Sequence, residues 1–196
     1  MSESTGLASR TYHGVEIPVP GTYVLDANHQ RVGFVARHLM VSKVRGHFAE
    51  ATATITVADD PTQSSVTATI QAASISTGQE QRDGHLGSAD FLDVEKFPTL
   101  EYRSTGVKSI DGNEFVLTGE LTIKDVTLPV DLEVELEGVG RSPYGQDVFG
   151  FSATAEIDRE QFGITWNVAL ETGGVMVGKK VKLEIEGEAI RQPEQS

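Results

Sequence analysis

The chain has 196 residues, 38% of them hydrophobic and 7% aromatic, with a formal net charge of −13 and no cysteine. This length suits one domain with a well-buried core. The charge argues against a nucleic-acid partner, which needs a positive footprint, and the lack of cysteine removes disulfides, thiolate catalysis and cysteine metal sites.

Residues 1–20 are polar, carry Pro18 and Pro20, and read as a flexible leader. They lack the apolar core of a secretory signal. No apolar run approaches the roughly 18–20 residues that span a bilayer, so no integral span and a cytoplasmic location are expected. Residues 23–26 read as a short strand, residues 28–40 as irregular with a helical turn near 36–40, and Lys43 opens a long strand. From Ala27 to Ala49 there is no Asp or Glu, whereas Arg31, Arg37, Lys43, Arg45 and three histidines (His29, His38, His47) fall inside that window. A solvated basic face is the plain reading, and a receiving site for an anionic head group the sharper one.

Further along, period-two alternation dominates. Residues 49–57 set Ala and Ile against Thr, and residues 66–74 repeat the pattern after an Asp59-Asp60-Pro61 turn. The stretch from Ser74 to Leu100 breaks it. There Leu86, Ala89 and Leu92 recur at helical steps, Thr77 and Ser88 are candidate caps for two turns, and Pro98 returns the chain to extended form. Gly84 and Gly87 each weaken a helix by about 1 kcal/mol, so this segment is expected to be held by packing, as a cap on a β structure. Strands resume at 100–108, turn at Asp111-Gly112-Asn113, and continue through 115–123, 128–136 and 149–157. A long excursion, 159–178, carries the only Trp before a last strand at 181–189. The result is all-β: eight antiparallel strands, each with one apolar face, most economically closed into a barrel, with a two-sheet sandwich as the alternative.

Several inward faces are built from small residues, among them Ala49, Ala51, Ala53, Gly119, Ala153 and Gly187. Either they leave room in the bore for an apolar guest, or larger residues on facing strands fill it.

The capping stretch carries Ser76, Arg82-Asp83-x-His85-Leu86-x-Ser88-x-Asp90-Phe91-Leu92-Asp93 and Phe97-Pro98. Together with Tyr23, Asp26, His29, Phe34, His38 and Gly46-x-Phe48 upstream, it closely resembles the YceI-like, polyisoprenoid-binding family. The resemblance continues through Gly119-x-Leu121-Thr122-Ile123 and Phe162-Gly163-Ile164-x-Trp166-Asn167 and spans about residues 21–189. It implies a lipocalin-like antiparallel barrel over residues 21–190, with 191–196 as a tail. It also implies a lumen holding a long isoprenoid chain, such as a polyprenyl phosphate or isoprenoid quinone, for transport, storage or sequestration rather than reaction. Gly87 stands where many relatives have a basic residue, which removes one contact to a phosphorylated head.

On this reading the lumen is expected to be lined by Phe34, Phe48, Ile55, Ile70 and Leu86, with Phe91, Leu121, Phe151 and Trp166. The polar end is expected near Arg37, His38, Arg82 and His85. No catalytic residue, cofactor or metal site is assigned: His29 and His38 have no carboxylate at ligand-like spacing, and no Ser–His–Asp order, P-loop or HExxH is present. A homodimer and transient membrane contact stay open. The alternatives are an enzyme acting on an isoprenoid or quinone lipid, and a dry-cored structural barrel related to stress.

Overall fold

The computed structural model describes residues 8–195. Two short strands, β1 (Ser9–Tyr12) and β2 (Val15–Pro18), form a hairpin that turns through His13 and Gly14, both at positive φ. Then come β3 (Gly21–His38), β4 (Ser42–Phe48), β5 (Ala51–Val57), β6 (Ser65–Gln71) and the two-residue β7 (Ile75–Ser76). The helix α1 (Glu80–Gly87) follows. The second half is β8 (Thr99–Asp111), β9 (Glu114–Ile123), β10 (Val126–Pro129), β11 (Leu132–Arg141), β12 (Asp147–Asp158) and β13 (Val177–Arg191).

Eight of these strands close an antiparallel barrel in the order β3, β5, β6, β8, β9, β11, β12, β13, with β13 returning to β3 through pairs such as Leu183↔Phe34 and Ile185↔Val32. Closure leaves no free edge along the wall, the arrangement that strands with one apolar face favour. β4 lies along the far half of β3 and β5 along its near half, so the two serve as one wall strand.

Residues 28–40, expected to be irregular with a helical turn, are strand up to His38: β3 is one strand of 18 residues. What hides it is a bulge. Between the pairs Leu25↔Ala189 and Gln30↔Gly187, four residues of β3 face one of β13. The apolar file therefore changes phase, from Tyr23 and Leu25 to Val32 and Phe34, and period-two reading fails across the break.

Residues 9–18 of the stretch read as a flexible leader form the β1–β2 hairpin, which is tied down, and residues 1–7 of that stretch lie outside the described residues. Arg10 donates to the carbonyls of Pro18, Ala58 and Asp59, and the Tyr23 hydroxyl donates to Val19 O at 2.8 Å.

Thr77 does not cap α1, whose N-cap is Gln79. Thr77 instead accepts from Arg82 Nε at 2.7 Å, while Asp83 reaches back to take the Thr77 N–H and hydroxyl. These residues form a closed knot that anchors a helix with no buried residue of its own. Ser88 ends the helix and opens the next turn, its hydroxyl accepting from Asp90 N and its carbonyl from Phe91 N.

The main core lies toward the α1 end and includes Phe91, Leu92, Leu100, Tyr102, Leu121 and Phe162. A smaller cluster of Tyr23, Ile55, Val57, Phe149 and Ala189 lies toward the hairpin end.

Candidate functional site

An apolar cavity of about 190 Å³ lies in the barrel toward the mouth crossed by the β1–β2 hairpin, at the end opposite α1. Its wall comes from five parts of the barrel: Ile55 and Val66; Val107, Phe115 and Leu117; Leu132, Val134 and Leu136; Phe149, Phe151 and Ala153; and Ile185. The hairpin adds Tyr12, Ile17 and Pro18, and Ser64, Ser65 and Asn113 give a polar rim. No lining residue carries a charge. Such a space rewards an apolar occupant and offers no carboxylate, imidazole or amine to move a proton.

Among the residues expected to line the lumen, Ile55 and Phe151 border this cavity. Phe34 and Phe48 lie against each other with ring centroids 5.8 Å apart. Phe91 and Leu121 belong to the main core, and Phe48, Ile70, Leu86 and Trp166 pack against it. The polar-end group sits at the α1 end and does not touch the cavity. Arg37 and His38 finish β3. Arg82 is spent on Thr77, donating also to its carbonyl at 3.0 Å. His85 Nε2 lies 2.9 Å from Asp90 Oδ2, and its ring stands edge-on to Trp166 and Phe91 at 4.7 and 5.1 Å. His85, Phe91 and Trp166 thus form one aromatic lock joining α1 to the 159–178 excursion.

The hairpin contribution lies within residues 1–20, which are polar overall. The apolar pair Ile17-Pro18 within a polar stretch was the available signal.

His29 does have carboxylate partners. Asp26 Oδ2 lies 2.7 Å and Glu188 Oε2 3.8 Å from its Nδ1, because the β3 bulge folds Asp26 back over His29 and both face β13. The hydrogen bond that His29 donates to the Asp26 carboxylate raises the His29 pKa above that of a free imidazole, and the same bond holds the Asp26 carboxyl below its usual range. The three donor atoms lie within 4.8 Å of one another, a spacing compatible with metal ligation. This corrects the expectation that no carboxylate lies at ligand-like spacing from His29.

Residues 23–189 match the YceI-like domain. The UPF0312 protein SA2479 of Staphylococcus aureus is 40% identical over 168 residues, 85% of this chain and 95% of that protein. Among solved structures, the Campylobacter jejuni YCEI protein is 30% identical with a TM-score of 0.67, covering 80% of this chain and 90% of its own. Burkholderia cenocepacia BcnA superposes with a TM-score of 0.71 at 21% identity, over 84% of this chain and 98% of that one. A polyisoprenoid binding domain from Saccharophagus degradans does so with a TM-score of 0.66 at 10% identity, over 89% and 100%. The last two share the fold. With the domain match running from β3 almost to the end of β13, the chain belongs to the YceI-like family.

Proposed function

We propose that the barrel binds the chain of a polyisoprenoid lipid, of the polyprenyl phosphate or isoprenoid quinone type, and carries, stores or sequesters it without chemical change. The observation that carries this reading is the uncharged, apolar lining of the lumen cavity. Membership of the YceI-like family and a structural neighbour described as a polyisoprenoid binding domain support it. Burial of such a chain contributes about 25 cal/mol for each Å² of apolar surface removed from water, before the cost of ordering the lipid.

The cavity of about 190 Å³ is smaller than the roughly 300–1,000 Å³ of ordinary small-molecule sites. A long chain therefore needs the lumen to widen, and the hairpin is the part of the lining held by the fewest strands. The test is organic extraction of the purified protein followed by mass spectrometry, paired with thermal denaturation in added polyprenyl lipid. Recovery of a long-chain isoprenoid and a raised midpoint are expected, since a ligand of the folded state stabilises it by mass action. Repeated recovery of nothing apolar, with an unmoved midpoint, would overturn the reading.

A further inference from the structure

At the α1 end, the three-residue link between β3 and β4 points large apolar side chains at solvent. Leu39, Met40 and Val41 are 37%, 52% and 79% exposed, and Val168 on the neighbouring excursion is 41% exposed. The tip is tied by backbone hydrogen bonds: Val41 N donates to His38 O at 3.1 Å, Leu39 N to Met176 O at 2.8 Å, and Met176 N to Val168 O at 2.9 Å. Leu39 and Met40 both have positive φ, 51° and 62°. An Asn-Gly pair adopts that turn with least strain. Here two bulky apolar residues occupy it and gain no place in either core cluster. Strain combined with exposed apolar surface marks a surface that something else covers.

The charge around the tip says what covers it. Arg37 and Lys43 face each other across the strands directly behind the turn, and neither forms an ion pair among the described residues. No Asp or Glu occurs from Ala27 to Ala49 in a chain of net charge −13. Glu171 is the acidic residue of the adjoining excursion, and Glu160 is taken up by Lys179. An apolar tip with a cationic collar, on a body otherwise acidic, fits an anionic lipid surface. The apolar side chains enter the interface, the two cations meet head groups, and repulsion of the acidic remainder orients the barrel end-on. A second copy would bring one cationic collar against another.

We propose that the Leu39–Val41 turn, with Val168, Arg37 and Lys43, docks the protein on anionic bilayers. Vesicle flotation of the full chain tests this, comparing phosphatidylcholine alone with phosphatidylcholine containing phosphatidylglycerol. Wild type is expected to float with the anionic vesicles only, and less so as salt rises. Val41→Asp and Met40→Asp are expected to abolish flotation. Arg37→Gln with Lys43→Gln is expected to weaken it roughly 25-fold, at about five-fold for each cation. No flotation of wild type at low salt, or variants that float like wild type, would overturn the proposal. So would a concentration-dependent dimer that Val41→Asp dissociates, which would assign the tip to self-association. Lipid recovered on extraction is read separately: the cavity is at the other end, so Val41→Asp is expected to leave its contents unchanged.

Discussion

Gly119 faces the ring of Tyr102 across the β8–β9 pair with no space for a side chain between them. A Cβ on Gly119 would collide with the phenol Oη and Cζ, and would stand 2.7 Å from the Arg103 carbonyl oxygen. The phenol end of the ring lies over the glycine, and its hydroxyl donates to Val130 O at 3.1 Å and Leu117 O at 3.3 Å. Relief would require moving backbone or a buried aromatic. Gly119→Ala is therefore expected to cost about 2–3 kcal/mol. For a chain of this size that is a fall of about 4–12 °C in Tm, read by thermal denaturation. An unchanged midpoint would show that the ring is not held where the structure places it.

The same tyrosine gives an alkaline limit to stability. Burial is the main cause that pushes the Tyr102 hydroxyl up to about 12, with the Asp131 charge adding to it. In the unfolded chain the phenol ionises near pH 10. Between those values the folded state holds the proton and the unfolded state releases it, so stability present below pH 10 is lost as pH rises toward 12. The loss is at most about 3 kcal/mol from this group. Tyr102→Phe is expected to be less stable at neutral pH by about 1 kcal/mol, for the lost hydrogen bond. It is also expected to fall less steeply from pH 10 to 12 in urea midpoints. Parallel curves for the two proteins would remove Tyr102 as the cause.

Gly119 also shows how far the sequence could be read. Alternation with one polar face was enough for eight strands and favoured a closed barrel over a two-sheet sandwich, because closure leaves no edge. The small residues were visible as well, but what fills the space beside each was not. Tyr102 occupies the space over Gly119, Leu25 and Phe151 crowd Gly187, and Phe34 covers Gly46. Ala153 alone of the small residues named borders the cavity. Side-chain interdigitation depends on register, and register depends on bulges, which leave no mark in composition. The bulge at residues 26–29 concealed half of β3 and the Asp26–His29–Glu188 cluster in one step. The hairpin was missed because four-residue strands carry too few alternations to be counted.

Arg10 governs the hairpin. Its guanidinium joins the β1–β2 pair to the carbonyls of Ala58 and Asp59 just beyond β5, and so fixes Tyr12, Ile17 and Pro18 over the cavity. Arg10→Ala removes these bonds from a partly exposed site, at about 1 kcal/mol each. The expected result is at least a five-fold faster uptake of a fluorescent apolar probe in stopped flow, with the barrel's far-ultraviolet dichroism unchanged. Equal uptake rates would show that the hairpin does not stand in the path.

Ala153 gives a way to close the cavity from within. It is 3% exposed, sits between Val134 and Ile185 on its two neighbours, and borders the cavity. Ala153→Phe, with Ala153→Leu as the smaller step, adds apolar bulk where there is room for it. Stability is expected to fall by no more than about 1–3 kcal/mol. Recovery of apolar material on extraction is expected to drop with increasing side-chain size. If both variants fold and still yield as much lipid as wild type, the lumen cavity is not where the lipid sits.

Arg159 holds the 159–178 excursion to the barrel, and does so without a carboxylate partner among the described residues. It is 4% exposed. Its Nη1 donates to Ile164 O at 2.8 Å and Trp166 O at 3.0 Å, its Nε to Gly178 O at 2.9 Å and its Nη2 to Val177 O at 3.2 Å. Burial lowers its pKa, with Glu160 and Asp158 opposing the shift, yet guanidinium remains charged at any ordinary pH. Four carbonyls shared among Nε, Nη1 and Nη2 suit the fixed fork of guanidinium donors and not the three donors of an ammonium. Arg159→Met leaves those carbonyls without this donor and is expected to cost about 3 kcal/mol or more. Arg159→Lys is expected to recover less than half of that loss. Because Trp166 meets His85 and Phe91 beyond this anchor, the damage is expected to spread: amide exchange is expected to quicken over residues 163–178 and through α1, while the β5–β6 hairpin stays protected. Faster exchange confined to 163–178 would mean that α1 is held by the Thr77–Arg82–Asp83 knot alone.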